Sequence, residues 1–517
     1  MSRMKFDISS MLNPEVYDHP VGNIELIETH ISWVLLTGDF AYKIKKPVNF
    51  GFLDFSTLEK RHRYCEAELI LNRRMAPDIY LGVVSISDKH GKPVFSDDGE
   101  VVEYAIKMVQ FPQSSQLDEM LRADMLGNDH IDAIAVMTAV FHQSIPVADE
   151  SMDYGEKDVV YLPVEENFMQ IYEHIDTRQY ADSLDAIAVW SHSTFEALEA
   201  VFLQRKRDGF IRECHGDMHL RNLLWLNDKP LAFDCIEFNA HFRWIDVISE
   251  VAFLMMDLQE REQDRLANRF LNTYLETTGD YAGLSVLPFY LCYRAMVRAK
   301  VDALRLAQEK VSEEERAKSS IQFQSYLDLA KSYTQKPEPK LIIMHGMSGS
   351  GKSTVAQQLV DTIDVIRIRS DVERKRMFDS VLIEAGEDKI DSGLYSMQAT
   401  EQTYARLLEL TALVIAAGYS VIVDAAFLKH EQRDPFRTLA ASLNVPFMIL
   451  SAGADEQILR RRIAERKNDA SDADIVVLDH QLSNWRSLHE DEANVTISVD
   501  TGDVLNIEAL LSAINSK

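Results

Sequence analysis

Two short runs of this chain carry the groups needed to move a phosphoryl group. In the middle, His215-Gly216-Asp217-Met218-His219-Leu220-Arg221-Asn222 sets a carboxylate ahead of an amide. At that spacing Asp217 can take the proton of an acceptor hydroxyl and Asn222 can hold magnesium. At the start of the last third, Gly346-Met347-Ser348-Gly349-Ser350-Gly351-Lys352-Ser353-Thr354 reads G-x-x-x-x-G-K-S. There the glycines let backbone N–H groups approach phosphate oxygens, Lys352 neutralises them, and the Ser353 hydroxyl can ligate magnesium. Gly346, Ser348, Gly349, Ser350, Gly351, Lys352, Ser353 and Thr354 form the expected phosphate cradle.

Each run has supporting residues. Leu231-Ala232-Phe233-Asp234 ends an apolar run on an acid, so Asp234 suits a second magnesium ligand bridging ATP phosphates. Upstream, Ala41-Tyr42-Lys43 lies on a candidate strand, from which Lys43 can reach the α and β phosphates; Lys45 shares its face by the period of two and stays open as a second candidate. The partner carboxylate belongs to the following helix, with Glu68 preferred to Glu66. A strand at Val102 to Val109, running into Gln110-Phe111-Pro112, offers backbone groups to adenine, with Met108 near the gate. His215 and His219 as a zinc pair would need two more ligands that nothing nearby supplies, so a brace or a surface position is the better reading.

In the last third, Val365 to Asp371 reads as a strand ending in an acid at the carboxyl edge of a sheet, where ligands bind in open α/β folds. Asp371 can serve as a base there, with Arg374 and Lys375 one turn later for an anionic acceptor. Val421-Ile422-Val423-Asp424 ends the same way, so Asp424 can orient magnesium or the acceptor. Arg462 and Arg466, four apart on a helix, share one face and can close over a transferring phosphoryl group. Without the phosphate loop, the basic cluster around them would read as a solvated helix face.

The elements that must position these residues follow from periodicity and turn signals. Strands are expected at 24–27, 32–36 and 40–45, the last two joined by the turn Thr37-Gly38-Asp39, then a helix from Thr57 to about Met75 and strands around 82–86 and 102–109. From about Gln116 the periodicity is mostly helical. The paired prolines of Thr334 to Lys340 break the chain, and beyond them strands alternate with helices, which implies a parallel sheet. The expected organisation is a module over 1–333, with an N-lobe at about 20–112 and a helical C-lobe at about 113–333, a linker at 334–340, and a second module over 341–517.

Composition narrows the partners. At 517 residues, 46% of them hydrophobic and 26% charged, the chain suits several folded units. A net charge of −28 disfavours polynucleotides and anionic membranes. Four scattered cysteines without C-x-x-C spacing suggest neither zinc knuckle nor disulfide framework and fit a reducing cytoplasm, and no apolar run is long enough to span a bilayer.

The ordered set Lys43, Glu68, Asp217, Asn222 and Asp234 resembles the aminoglycoside phosphotransferase and choline kinase branch of the protein-kinase-like fold, over roughly residues 20 to 330. Two departures stand out: Thr29-His30-Ile31-Ser32 replaces a glycine-rich loop, and Phe233-Asp234-Cys235-Ile236-Glu237 departs from D-F-G. Asp246 resembles the helix aspartate that braces the catalytic loop. The set from Gly346 to Thr354 with Asp371, Asp424, Arg462 and Arg466 resembles the polynucleotide kinase, gluconate kinase and zeta-toxin group. In combined order the chain resembles bacterial bifunctional aminoglycoside phosphotransferase/ATP-binding proteins. The resemblance implies an α+β protein-kinase-like bilobal module followed by an α/β P-loop module. It further implies an ATP- and Mg2+-dependent kinase for small hydroxylated acceptors. Two alternatives stay open: one module regulated by ATP binding in the other, or a polynucleotide 5′-hydroxyl kinase.

Overall fold

The early strands are set by alternating apolar residues and tight turns. In the computed structural model, which describes residues 6–51, 53–308, 311–336, 338–385, 397–465, 475–483, 485 and 487–516, six strands form one sheet. They are β1 (Glu25–Glu28), β2 (Ser32–Leu36), β3 (Phe40–Lys45), β4 (Tyr80–Lys89), β5 (Lys92–Phe95) and β6 (Glu100–Val109), in the order β1-β2-β3-β6-β4-β5 with every neighbouring pair antiparallel. The turn from β1 to β2 is closed on itself: Thr29 Oγ1 accepts from the amides of Ile31 and Ser32. β5 has no counterpart in the sequence reading, because Lys92-Pro93-Val94-Phe95 is too short to display a period.

Alternation sends β3 residues to two different cores. Ala41 packs with Cys65 and Leu69 of the helix Leu58–Asn72, while Tyr42 and Ile44 pack with Met11, Val16 and Tyr17 on the other face. Thr57 caps that helix by accepting from the Lys60 amide. Lys43 and Lys45 therefore point to the helix side. The C-terminal part of this unit is helical, with small antiparallel pairs: β7 (Ile211–Glu213) with β10 (Trp244–Asp246), and β8 (Leu223–Leu226) with β9 (Lys229–Ala232).

Five parallel strands build the other sheet: β11 (Leu341–His345), β12 (Ile366–Arg369), β13 (Val421–Asp424), β14 (Phe447–Gly453) and β15 (Thr496–Asp500), in the order β12-β13-β11-β14-β15. Ile342, Met344, Ile422, Met448 and Leu450 bury one face against Val355, Ala356 and Leu359 of the helix Lys352–Val360. Near-continuous apolar strands of this kind are what a parallel sheet covered on both faces requires.

The chain divides into two compact units, Met1–Asp257 with Tyr293–Leu327, and Leu258–Cys292 with Asp328–Lys517. Sequence periodicity put 258–292 in the helical lobe of the first module; in the structure it packs with the second unit. The helix Asp264–Thr278 covers the open edge of β12. Asn272 accepts from the Arg367 amide at 2.7 Å and donates to the Val365 carbonyl at 3.0 Å, giving an edge strand the partners it would otherwise lack. Glu276 pairs with Arg367 and Arg369, and Arg269 with Asp361. Such side-chain pairing across more than ninety residues of sequence leaves no periodic signal.

All four cysteines are buried. Among the described residues no helix is long and apolar enough to cross a membrane.

Candidate active sites

In the first unit the candidate residues converge through long-range contacts. Lys43 Nζ donates to Glu68 Oε1 at 2.8 Å and also meets Asp234. The other Glu68 oxygen accepts from Lys45 Nζ at 2.5 Å, and Lys45 in turn meets Glu237. Both lysines thus engage Glu68, but only Lys43 reaches Asp234. Glu66 points away, toward His62 at 3.6 Å. Burial opposes every charge in this group; the two lysines outweigh it at Glu68, whose carboxyl is held below its usual range. Asp234 sits at φ 64°, a left-handed conformation that turns the chain sharply, and its amide donates to the Tyr80 hydroxyl at 3.1 Å.

The catalytic-loop candidates are equally fixed. Asn222 Nδ2 donates to Asp217 Oδ2 at 2.9 Å and to its carbonyl at 3.0 Å, and His219 Nε2 lies 3.4 Å from Asp217 Oδ2. Burial pushes the Asp217 carboxyl up, but His219, His215 and Arg298 outweigh it and hold the group well below the carboxylate range. It is therefore ionised at neutral pH, as a proton acceptor must be.

The brace of this loop differs from the expected one. Asp246 is spent on Arg205 at 2.6 and 2.8 Å. The loop amides of His215 and Gly216 donate instead to Glu250, at 3.2 and 2.6 Å, and Glu250 meets His142 Nε2 at 2.9 Å. Although burial alone would raise it, His142 and the loop amides bring the Glu250 carboxyl down to about 2. Asp257 accepts from the Leu220 amide at 2.9 Å, and Arg294 donates to the Gly216 carbonyl at 3.3 Å. Gly216 has φ 89°, and a Cβ there would lie 2.6 Å from the Phe242 carbonyl oxygen. His215 is a brace, as read: its Nε2 meets the Phe233 carbonyl at 2.9 Å, and burial holds its pKa below the usual value.

Met108 is buried in the sheet, paired with Ala41 and Tyr80, and shares a core with Leu224 and Leu231. The Gln110 side chain accepts from the Gly38 amide at 2.9 Å, and Phe111 packs edge-on against Phe233, so the segment after β6 is tied to both the sheet and the residue before Asp234.

In the second unit the phosphate loop joins β11 to its helix. Gly346 takes φ 146°, and a Cβ would lie 2.4 Å from the Ala452 carbonyl oxygen and 2.6 Å from Ser350 Oγ. Only glycine fits there. Lys352 Nζ donates to the Met347 carbonyl at 2.8 Å, and the Ser348 amide to Gln481 at 2.8 Å. Ser353 and Thr354 open the helix Lys352–Val360 and are exposed. Asp371 stands at the carboxyl end of β12 in the first turn of the helix Ser370–Ala385. Asp424 ends β13 opposite Arg369; it is buried, and its Oδ2 has no hydrogen-bond partner among the described residues. Arg462, expected over a transferring phosphoryl group, instead donates to Thr501 Oγ1 at 3.0 Å and to the Gly349 carbonyl at 3.4 Å. Thr501 Oγ1 donates to the Ser350 carbonyl at 2.8 Å, so Arg462 and Thr501 together hold the loop. Arg466 lies outside the described residues.

The donor chemistry fits magnesium at both places. Asn222 turns its amide nitrogen to Asp217, which leaves its oxygen end for a hard cation, and Asp234 adds a carboxylate. Asp424 offers a buried carboxylate oxygen that lacks a partner among the described residues, and Ser353 offers an exposed hydroxyl at the helix start. Oxygen donors of this kind are what magnesium selects.

Residues 126–287 match the phosphotransferase enzyme family, and residues 341–488 match an AAA domain. An uncharacterised protein of Mycobacterium tuberculosis is 32% identical over 461 residues, 88% of this chain and 89% of the relative, and one of Mycobacterium bovis matches equally. The chain belongs to this family of phosphotransferase and P-loop kinase fusions. Among solved structures, an amicoumacin kinase in complex with AMP-PNP, Ca2+ and Ami is 15% identical, covering 61% of this chain and 89% of its own, with a TM-score of 0.38. A sugar kinase from Janibacter is 21% identical, covering 35% and 95%, with a TM-score of 0.27. The two family matches in this chain make its activity kinase-type.

The residues that sequence reasoning missed share a trait. Glu237, Glu250, Asp257 and Arg294 are charged positions within apolar surroundings, and all are buried. Glu250 and Asp257 lie seven apart on the mostly apolar helix Val247–Glu260, a spacing that puts both on one face. That pattern was the available signal.

Proposed function

We propose that the protein is a Mg-ATP-dependent phosphotransferase with two nucleotide sites, each transferring the γ-phosphate to a hydroxyl of a small molecule. The observations that support this reading are that Lys43 meets Glu68 and Asp234 while Asp217 meets Asn222 in the first unit, and that the phosphate loop, Asp371 and Asp424 follow or end neighbouring parallel strands at one sheet edge in the second. In the first unit Lys43 binds the α and β phosphates, Glu68 orients it, and Asp217 accepts the acceptor's proton. Met108 and the segment after β6 border the adenine. In the second, the loop amides and Lys352 hold the phosphates, and Asp371 takes the acceptor proton. Magnesium, held by Asn222 with Asp234 in one site and by Ser353 with Asp424 in the other, would neutralise charge on the phosphates. Arg462 fixes the loop's shape, and Arg466 is assigned to the phosphoryl group on its helical spacing alone.

The net charge of −28 favours small acceptors over nucleic acid. The test is to incubate wild type, Asp217→Ala and Lys352→Ala with ATP and a metabolite pool, and to profile phosphorylated products. Each change should erase a separate set of products. If either variant kept the full product set, the reading for that unit would be wrong.

A second reading, in which one unit catalyses and the other senses ATP, is favoured by one observation. The helix Asp264–Thr278 belongs to the second unit, yet in sequence it lies between the helices that carry Glu250 and Arg294. Under it, Lys352→Ala would change the rate of forming products without removing any.

A further inference from the structure

The first site contains one lysine more than phosphate binding needs. Lys43 and Lys45 sit on the same face of β3, and each takes one oxygen of Glu68, at 2.8 and 2.5 Å. Lys45 is 1% exposed, lies over the Phe55 ring at 4.8 Å, and has Glu237 as its second carboxylate; Glu68 and Glu237 are buried as well. A lysine this deep cannot touch a solvent-borne ligand. Burying two ion pairs where apolar side chains would pack as well brings no certain gain in stability; its best-attested benefit is that charges accept few alternative arrangements.

Connectivity shows what is being arranged. Glu237 lies three residues after Asp234, and between them Cys235 donates its amide to Asn72 Oδ1 at 2.9 Å. Asn72 and Glu68 lie one turn apart on the helix Leu58–Asn72, where Asn72 Nδ2 donates to the Glu68 carbonyl. The turn beginning at Asp234 is thus pinned at two further points, to Asn72 through its backbone and to Lys45 through Glu237. When nucleotide phosphates draw on Lys43, Glu68 loses part of its hold on one oxygen, but its other oxygen stays on Lys45.

We propose that Lys45 and Glu237 are a positioning pair that fixes Glu68 and the Asp234 turn while Lys43 engages the nucleotide, so that the metal-binding carboxylate stays in register with the phosphate-binding lysine. This rests on the reading of the first unit as a nucleotide site. The pair touches no substrate; its effect is on the coupling between metal and nucleotide.

The experiment uses the full chain carrying Lys352→Ala, to silence the phosphate loop, and measures AMP-PNP binding calorimetrically as magnesium is varied. Lys45→Met and Glu237→Gln should raise the magnesium concentration for half-maximal binding at least tenfold, while binding in EDTA changes less than threefold. Lys45→Arg, which keeps a charge that can meet both carboxylates, should recover most of the shift. Lys43→Met is the reference and should abolish binding. If Lys43→Met lowers binding but folded Lys45→Met keeps the parental magnesium dependence, the positioning role is overturned while the nucleotide site stands. If Lys43→Met changes nothing, both are overturned. Should Lys45→Met not fold, the double variant Lys45→Met/Glu237→Gln removes the stranded charge. Its magnesium dependence must then be shifted for the proposal to hold, and an unshifted curve rejects it.

Discussion

Under the proposed function, the two candidate sites would hold phosphate by opposite means. In the second unit the cradle is one contiguous stretch, Gly346 to Thr354, whose path needs the positive φ of Gly346, Gly349 and Gly351. In the first, the cradle is made of side chains: Lys43 meets Glu68 25 residues away and Asp234 191 residues away. A backbone cradle depends on local conformation and fails through a single added methyl group. A side-chain cradle depends on closure of the whole unit and fails through misplaced charge. That contrast says where each site should be fragile.

The largest expected effect comes from the chemistry itself. Asp217→Asn should lower turnover of first-unit products by about 10²–10⁴-fold, the usual worth of a positioned base, without changing the second-unit products. Steady-state rates on each product class check this. Gly346→Ala should do the reverse. Its Cβ would lie 2.4 Å from a backbone oxygen, at a φ of 146°, so the second unit should lose nucleotide affinity by at least about tenfold and some stability, while binding at the first site is kept. Calorimetric titration resolves the two sites.

Glu250→Gln tests the brace that replaced the expected one. The Glu250 carboxyl falls from 4.5 in the unfolded chain to about 2 in the folded one, worth about 3 kcal/mol. Because the folded value is the lower, this contribution is full above about pH 4.5 and is lost as pH falls toward about 2. Urea melts at pH 7 should show the first unit weakened by about 3 kcal/mol, with the difference from wild type shrinking below pH 4.5. A constant difference across that window would mean that packing, not charge, had been removed.

Asn272→Leu should destabilise the second unit by about 1–3 kcal/mol, since it strands the Arg367 amide and the Val365 carbonyl on the sheet edge. By the same logic a fragment of 334–517, lacking the helix Asp264–Thr278, should melt below the full chain's second transition in calorimetry. The smallest effect belongs to Glu66→Gln: Glu66 is half-exposed beside His62, so binding at the first site should hold and stability should move by under about 0.5 kcal/mol. The contrast with Glu68, its neighbour two residues on, is the sharpest check that side-chain closure and not local charge builds the first cradle.

Legibility followed the same division. The phosphate loop, its strand and its helix could be read as a block, because every group that shapes them is near in sequence. Asp217 and Asn222 were readable for the same reason. Glu68 was preferred to Glu66 as a residue of the helix after β3, and of the two the structure turns Glu68 toward the lysines. The choice between Lys43 and Lys45 could not be made from a period of two that puts both on one face; what separates them is that Asp234 meets one and Glu237 the other. Asp246, which resembles a loop-bracing aspartate, is structural, but its partner is Arg205, 41 residues earlier on a helix whose docking the local sequence does not encode.

By itself, then, the sequence determined the two fold types, the order of the units, the phosphate loop and the identity of the acids that end the strands. These are properties of spacing, and spacing is written along the chain. Tertiary structure decided that residues 258–292 join the second unit, that Glu250 carries the catalytic loop, that Arg462 braces the phosphate loop, and that two lysines share one glutamate. Each of these depends on which buried charge or stranded backbone group finds its partner across the fold. A buried polar group must be satisfied, but the sequence does not say by which neighbour.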